Sequence, residues 1–457
     1  MPLLPKRARK EALLLILGLC VASVQADRLD WRAQDSRVTA EIGSTPVLSV
    51  LEQIAEATGW QIYLEPGTER TVSTKFKDRT VGEALQLLLG DMSYVRVPGD
   101  ATTPARLYVF RTSRSDATQL VKPITKKEDP TSKPIPNEMV VRLKPDCTVE
   151  QVAGKLQGKV LGKSEAANTY RLSFETAEAA QAARAQATNS LAECVEAVDS
   201  NFWMHRPEVS DSLNFSSNSG PELKPREKGE CTSPIVGLID TAIQPTGSSM
   251  DEFLMPTLAV AGQVQTPADQ PTHATSMFGT MMRGLSVKDN QTSVKVLPVD
   301  VYGPNATTTT FDVANGIVQA INKGATVINL SLGSGGDSDF LRGIIRRGSE
   351  QGVLFLAAAG NEPSTAPTYP AAYPNVMAVT AGGRDGKIAP YANRGDFIDI
   401  SAPGSAMFPY NGQNWMVMGT SAATAYASGV AASMWDCNKM TPSQVATAMQ
   451  QLMPVKR

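Results

Sequence analysis

The spacing of apolar residues divides the chain into three folded stretches separated by two polar ones. In the first, over 27–111, Val47, Leu51, Ile54 and Ala55 share one face of a helix predicted at 46–58. A strand (TVSTKF) follows, then an amphipathic helix at 81–89, and 94–97 with 107–110 reads as a hairpin. The second stretch, 137–204, reads strand (EMVVRLKP), helix (TVEQVAGKLQG), strand (KVLGKS), strand (YRLSFE), helix (TAEAAQAARAQATN) and strand (CVEAVDSNFW). That order is βαββαβ, a split βαβ module. In the third stretch, 233–457, almost continuously apolar strands (PIVGLID, VKVLPVDVY, ATVINLSLG, GVLFLAAAG, NVMAVTAG, DFIDISAPG) alternate with helices. The helices are FDVANGIVQAINKG, DFLRGIIRRGSEQ, a long one from Ser421 and a last one from Pro442. This alternation predicts an α/β fold with a parallel sheet covered on both faces. Chemistry in such folds collects at the carboxyl ends of the strands. The stretches at 112–136 and 205–232 are rich in Pro, Ser, Asn and Lys and read as linkers.

Targeting and composition narrow the function. Lys6, Arg7, Arg9 and Lys10 precede an apolar run from Leu13 to Ala22, and Val24-Gln25-Ala26 supplies a small-residue cleavage site. Residues 1–26 thus read as a secretory signal peptide, too short to span a bilayer unaided. An exported chain is expected, periplasmic or secreted, with no membrane span. The 43 Lys and Arg against 45 Asp and Glu, net charge −2, provide no basic face for nucleic acid. Cys20 leaves with the signal, and Cys147, Cys194, Cys231 and Cys437 allow three connectivities. Disulfides are the default after export. The within-domain pairs Cys147–Cys194 and Cys231–Cys437 are expected because each closes inside one folding unit; Cys194–Cys231 is the rival. No cysteines have a zinc spacing and no acidic loop has a convincing calcium spacing, so no cofactor and no metal ligand is assigned, and structural calcium stays open.

Four polar residues stand where such a fold keeps its chemistry. Asp240 ends PIVGLID, Asn361 follows VLFLAAAG, and Ser421 opens an Ala-rich helix. His273 is one of two histidines, in THATSMFGTMMRG, where Thr272 can cap a helix; His205 has no partnered motif. Each alone reads as a turn residue or a cap. Together they supply what a serine nucleophile needs: a base, an acid to orient it and donors for the oxyanion.

This order, with VINLSLG, AAAGNE, YPAAYPNVMAVTAGG and DISAPG between the four, resembles the subtilisin-like serine peptidases (subtilases) over nearly all of 231–457. The resemblance implies a serine endopeptidase. Asp240 is then the orienting acid, His273 the general base, Ser421 the nucleophile and the Asn361 amide an oxyanion donor. It also implies that a substrate peptide adds as a strand between Leu332-Gly333-Ser334 and Ala358-Ala359-Gly360. Residues 137–204 look like the family's propeptide, which makes the chain a self-processing zymogen whose own propeptide is a partner, cut between about Arg206 and Lys228. The sequence departs from the family at Ala242 and Ala274, where glycine is usual, and at Ala425 and Tyr426, where proline and then histidine are usual. The two Gly-to-Ala changes are tolerated only where φ stays negative. Residues 27–111 resemble the small periplasmic N-terminal domains of secretins and TonB-linked receptors, which implies docking on an envelope protein. The competing readings are a peptidase fold that only binds peptides and an envelope-docking scaffold.

Overall fold

The computed structural model describes residues 28–32, 37–98, 104–121, 129–207, 211–213, 222–226, 233–267, 269–288, 290–383, 387–436 and 440–456. The signal stretch, both cysteines of the Cys231–Cys437 pair and most of the second linker lie outside them. The chain divides into two units, 1–127 and 128–457.

The first unit runs β1 (Arg28–Arg32), β2 (Arg37–Pro46), α1 (Val47–Thr58), β3 (Gln61–Leu64), β4 (Thr71–Thr80), α2 (Val81–Leu89), β5 (Ser93–Val97), β6 (Arg106–Phe110) and β7 (Gln119–Val121). Its sheets have the orders β1-β2-β4 and β5-β6-β3-β7. Val50, Leu51 and Ile54 of α1 and Leu85 and Leu88 of α2 share one core with Val38, Ile62 and Leu107. A left-handed Gly59 ends α1, and a Thr80–Glu83 capping box starts α2. β7 falls within the stretch read as a linker, because only Val121 of its three residues is buried. It pairs antiparallel with β3, and the Glu65 carboxylate steadies the approach by accepting the Arg111 and Thr112 N–H groups at 2.7 and 3.0 Å.

The second unit opens with β8 (Glu138–Leu143), α3 (Val149–Leu156), β9 (Lys159–Ser164), β10 (Thr169–Ser173), α4 (Ala177–Asn189) and β11 (Val195–Asp199), an antiparallel sheet of order β11-β8-β10-β9. Cys147 and Cys194 are disulfide-bonded across this module. After it come β12 (Trp203–His205), β13 (Asp211–Leu213), β14 (Lys224–Pro225), β15 (Ile235–Asp240), β16 (Leu258–Ala259), α5 (His273–Leu285), β17 (Gln291–Thr292), β18 (Lys295–Asp300), β19 (Thr307–Thr309), α6 (Thr310–Asn322), β20 (Val327–Leu330), α7 (Asp339–Glu350), β21 (Leu354–Ala358), β22 (Val376–Gly382) and β23 (Ile400–Pro403). The chain ends with β24 (Ser405–Tyr410), β25 (Gln413–Met418), α8 (Thr420–Trp435) and α9 (Pro442–Leu452). Seven parallel strands form the main sheet, in the order β16-β18-β15-β20-β21-β22-β23. One core joins Met277 and Phe278 of α5 and Val430 of α8 to Leu238 and Leu356; the other joins Ile317 of α6 and Ile345 of α7 to Ile239 and Phe355. The apolar runs are therefore strands buried on both faces. The sequence pattern leaves out the β24–β25 hairpin, although Asn411 and Gly412, at φ 50° and 73°, make the tight turn that such a pair favours.

The βαββαβ module docks on α6 and α7 through their N-termini. Asn201 Oδ1 accepts the Phe311 N–H (3.1 Å) and the Thr310 hydroxyl (2.9 Å). Asp199 Oδ2 accepts the Phe340 N–H (2.7 Å) and the Ser338 hydroxyl (2.8 Å). Orphan helix donors are thus satisfied from outside their own segment. Beside them Arg171 forks onto Glu138 at 2.7 and 2.8 Å and reaches Asp312 at 3.2 Å. Burial pushes the Asp312 carboxyl upward, and Arg171 opposes that shift. Asp199→Ala should cost about 1 kcal/mol, and Asn201→Ala about 1–3 kcal/mol because buried donors lose their acceptor. Urea unfolding of full-length protein carrying Ser421→Ala checks both; unchanged midpoints would contradict the capping.

Candidate active site

Asp240 is the last residue of β15, fully buried, and its Oδ1 accepts the Thr241 N–H at 2.7 Å. His273 is the first residue of α5, capped by Thr272, and only 4% exposed. Its Nδ1 lies 2.9 Å from both Asp240 carboxylate oxygens. Thr241 Oγ1 accepts the Ala274 N–H at 3.1 Å, so the loop after the acid is tied to the helix that carries the imidazole. Gln244, which the sequence does not single out, reinforces that tie. Its Oε1 accepts the Thr272 N–H (2.7 Å) and the Thr275 hydroxyl (3.0 Å). Ala242 and Ala274 both avoid the left-handed region, so the methyl groups that replace hydrogen there meet no backbone strain. Ala425 lies fully buried inside α8, where alanine extends a helix readily.

Ser421 stands in the first turn of α8, half-buried. Its hydroxyl donates to the Ser331 carbonyl at 3.2 Å, not to His273, while Ser331 Oγ donates to the Ser421 carbonyl at 3.0 Å. Asn329 Nδ2 donates to Ser331 Oγ, and Ser428 Oγ donates to Asn329 Oδ1, both at 3.0 Å. A buried polar chain therefore pins α8 to β20. The signal for it is the pair of polar residues in VINLSL, an otherwise apolar strand. Asn361 Oδ1 accepts the Thr420 N–H (2.9 Å) and its hydroxyl (3.1 Å), and Thr420 Oγ1 in turn accepts the Gly360 N–H (3.1 Å). An N–H donor facing the Asn361 amide fixes which of its atoms is oxygen, and so turns Nδ2 the other way. That Nδ2 lies 3.0 Å from where a Cβ at Gly419 would stand, and Gly419 has φ 135°.

The two segments expected to flank a substrate peptide have different backbone hydrogen bonding. Ala359 N–H donates to Val379 O (3.0 Å), and Asn393 Nδ2 donates to Ala359 O (2.8 Å). Gly360 O accepts the Asn393 N–H at 2.9 Å. With these backbone groups committed, Ala358-Ala359-Gly360 forms a wall rather than a pairing edge. On the other segment Ser334 exchanges both backbone bonds with Tyr369 at 2.8 Å, and the Leu332 side chain packs into the core beneath α6 and α7. The chain's own β12 pairs antiparallel with β19, and β13 with β25, the strand that leads into Gly419 and Ser421. The Tyr302 hydroxyl donates to His205 O at 2.9 Å, and burial raises its pKa well above the usual value. Among the described residues no cluster of His, Cys, Asp and Glu could hold a metal ion, and no helix is long and apolar enough to cross a membrane.

The Subtilase family matches residues 232–453. A thermostable alkaline protease of Halalkalibacterium halodurans is 35% identical over 188 residues, 39% of this chain and 52% of the relative, so the chain spans about half the length of that protein. Thermitase of Thermoactinomyces vulgaris is 30% identical over 205 residues, 43% of this chain and 72% of thermitase. The crystal structure of fervidolysin from Fervidobacterium pennivorans superposes with a TM-score of 0.54 at 19% identity, over 69% of this chain and 57% of that one, which is a likeness of fold. On the thermitase match and the family match together, the chain belongs to the subtilase family.

Proposed function

We propose that the protein is an exported serine endopeptidase made as a self-processing zymogen, with protein or peptide substrates and no cofactor. The observation that carries this reading is the 2.9 Å contact between His273 Nδ1 and the buried Asp240 carboxylate. A carboxylate can only accept there, so Nδ1 carries the proton and the Nε2 lone pair is left to act as base. In the reaction the Ser421 hydroxyl turns from Ser331 O toward His273. Its proton passes to Nε2 as Oγ bonds to the substrate carbonyl carbon. The oxygen of that carbonyl takes the negative charge and is met by the Asn361 Nδ2 amide and the Ser421 N–H, at the positive end of α8. His273 then protonates the leaving amine as the C–N bond breaks, and water releases the acyl group by the same steps in reverse.

The zymogen reading draws support from the strand pairings. The βαββαβ module sits on α6 and α7, and its tail lies along β19 as β12. Held beside its own active site, the linker has a high effective concentration, so even a weak enzyme processes itself. The cut is expected between about Arg206 and Lys228, a stretch partly outside the described residues. Residues 27–111 are read as the part that docks on an envelope protein.

Asn361→Ala should lower kcat by ~100-fold or more with KM little changed, if its amide meets the oxyanion. Gly419→Ala should also lower kcat, since a left-handed φ excludes alanine and its methyl would press on the same amide. Steady-state kinetics on a chromogenic peptide measures both, and wild-type kcat in Asn361→Ala would refute the oxyanion role. In a Ser421→Ala strain, exported protein should remain one chain that keeps residues 137–204. Mass spectrometry reads this, and linker cleavage at the wild-type rate in purified Ser421→Ala protein would contradict self-processing.

A further inference from the structure

We propose that Thr368 closes the crevice that receives the side chain on the acyl side of the cleaved bond, and so confines cleavage to bonds that follow Gly, Ala or Ser. The inference rests on the peptidase reading above and names the substrate class of that site. Two contacts locate the crevice. Ser421 Oγ, the attacking atom, lies against Ser331 O, two residues before Gly333. Asn361, whose amide meets the oxyanion, directly follows Gly360. A residue attacked there has its carbonyl between these points, and its side chain enters the space between Gly333 and Ala358-Ala359-Gly360.

Thr368 takes up the far part of that space. A Cβ at Gly333 would stand 2.9 Å from Thr368 Cγ2, 3.2 Å from Tyr369 O and 3.9 Å from Ala358 O. The Thr368 methyl therefore reaches into the gap between the two walls. Nor can this side chain swing aside. Its Oγ1 accepts from Asn393 Nδ2 at 3.2 Å, and the same amide donates to Ala359 O at 2.8 Å. Asn393, 4% exposed, is held in its turn, because its Oδ1 accepts the Glu362 N–H at 2.9 Å. The neighbouring backbone is fixed by the Ser334–Tyr369 pair. A β-branched residue on so rigid a frame has one usable χ1. A hydrogen, methyl or hydroxymethyl group fits above the Thr368 methyl. A Leu or Phe side chain must displace tethered atoms, which close-packed protein resists.

The test digests casein with purified full-length protein and with Thr368→Gly, Thr368→Ser and Thr368→Val variants, and reads the product termini by mass spectrometry. Peptides differing only in Ala or Phe before the cleaved bond give kcat/KM ratios. Wild type should cut after Gly, Ala and Ser. Thr368→Gly should shift the Phe-to-Ala ratio upward on the order of 10-fold or more. Thr368→Ser, which keeps the bond to Asn393 and loses the methyl, should shift it part of the way. Thr368→Val, which keeps the volume, should retain the preference for small residues. Wild-type cuts mainly after Leu, Phe or Tyr, or an unchanged ratio in Thr368→Gly, would overturn the inference while leaving the peptidase reading intact. A wild type that cuts no bond in casein overturns both.

Discussion

The crossing of α5 and α8 holds the helix that carries His273 against the helix that carries Ser421, and it leaves no room for a side chain at the contact. A Cβ at Gly284 would lie 2.2 Å from Tyr426 O, and one at Gly429 would lie 2.2 Å from Met281 O. Both obstacles are backbone, so neither can rotate away. Glycine on both helices thus sets how closely the two axes approach, and the core around Met277, Phe278 and Val430 fills in on either side. Everything at the site hangs from this packing. α5 presents His273 to the end of β15, α8 presents Ser421 to the end of β20, and the Asn329–Ser331–Ser428 chain locks the second placement with polar contacts where burial leaves no water.

The same economy of helix ends recurs where the βαββαβ module meets the larger part. The first-turn donors of α5, α6 and α7 are satisfied in two ways. α5 uses its own Thr272, while α6 and α7 take further acceptors from Asn201 and Asp199 of the module. A domain attached through helix caps and the Arg171–Glu138–Asp312 cluster is held by directional polar bonds at the rim of an apolar contact. Such an attachment is specific in register, because every partner lost leaves a buried group unsatisfied. It also keeps β12 paired along β19.

Much of this was legible in the sequence because the long-range order is written in local pattern. PIVGLID, VINLSLG and VLFLAAAG are strands buried on both faces, and they announce themselves by unbroken apolar runs. Asp240, His273, Asn361 and Ser421 were legible as strand-end and helix-start residues, and the structure brings the first two into contact. The parts that were not legible depend on contacts between distant segments. Asn393 sits in a featureless ANRGD stretch, yet it ties Ala359, Thr368 and Glu362 together. Gln244 and Thr241 look like ordinary turn residues until α5 is packed over them. β7 is too short and polar to show a period, and the commitment of the Ala359 and Gly360 backbone appears only once β22 and Asn393 are in place. Pattern reveals which faces are buried; it does not reveal which donor meets which acceptor across the fold.

The proposed chemistry turns on whether His273 activates Ser421 as a nucleophile. Fluorophosphonate labelling of the full-length protein, followed by peptide mass spectrometry, tests it most directly. One adduct is expected, on Ser421, formed in wild type and lost in His273→Ala, whose Ser421 is still present but has no base. No adduct on Ser421 in folded wild-type protein, or equally fast labelling in His273→Ala, would contradict it.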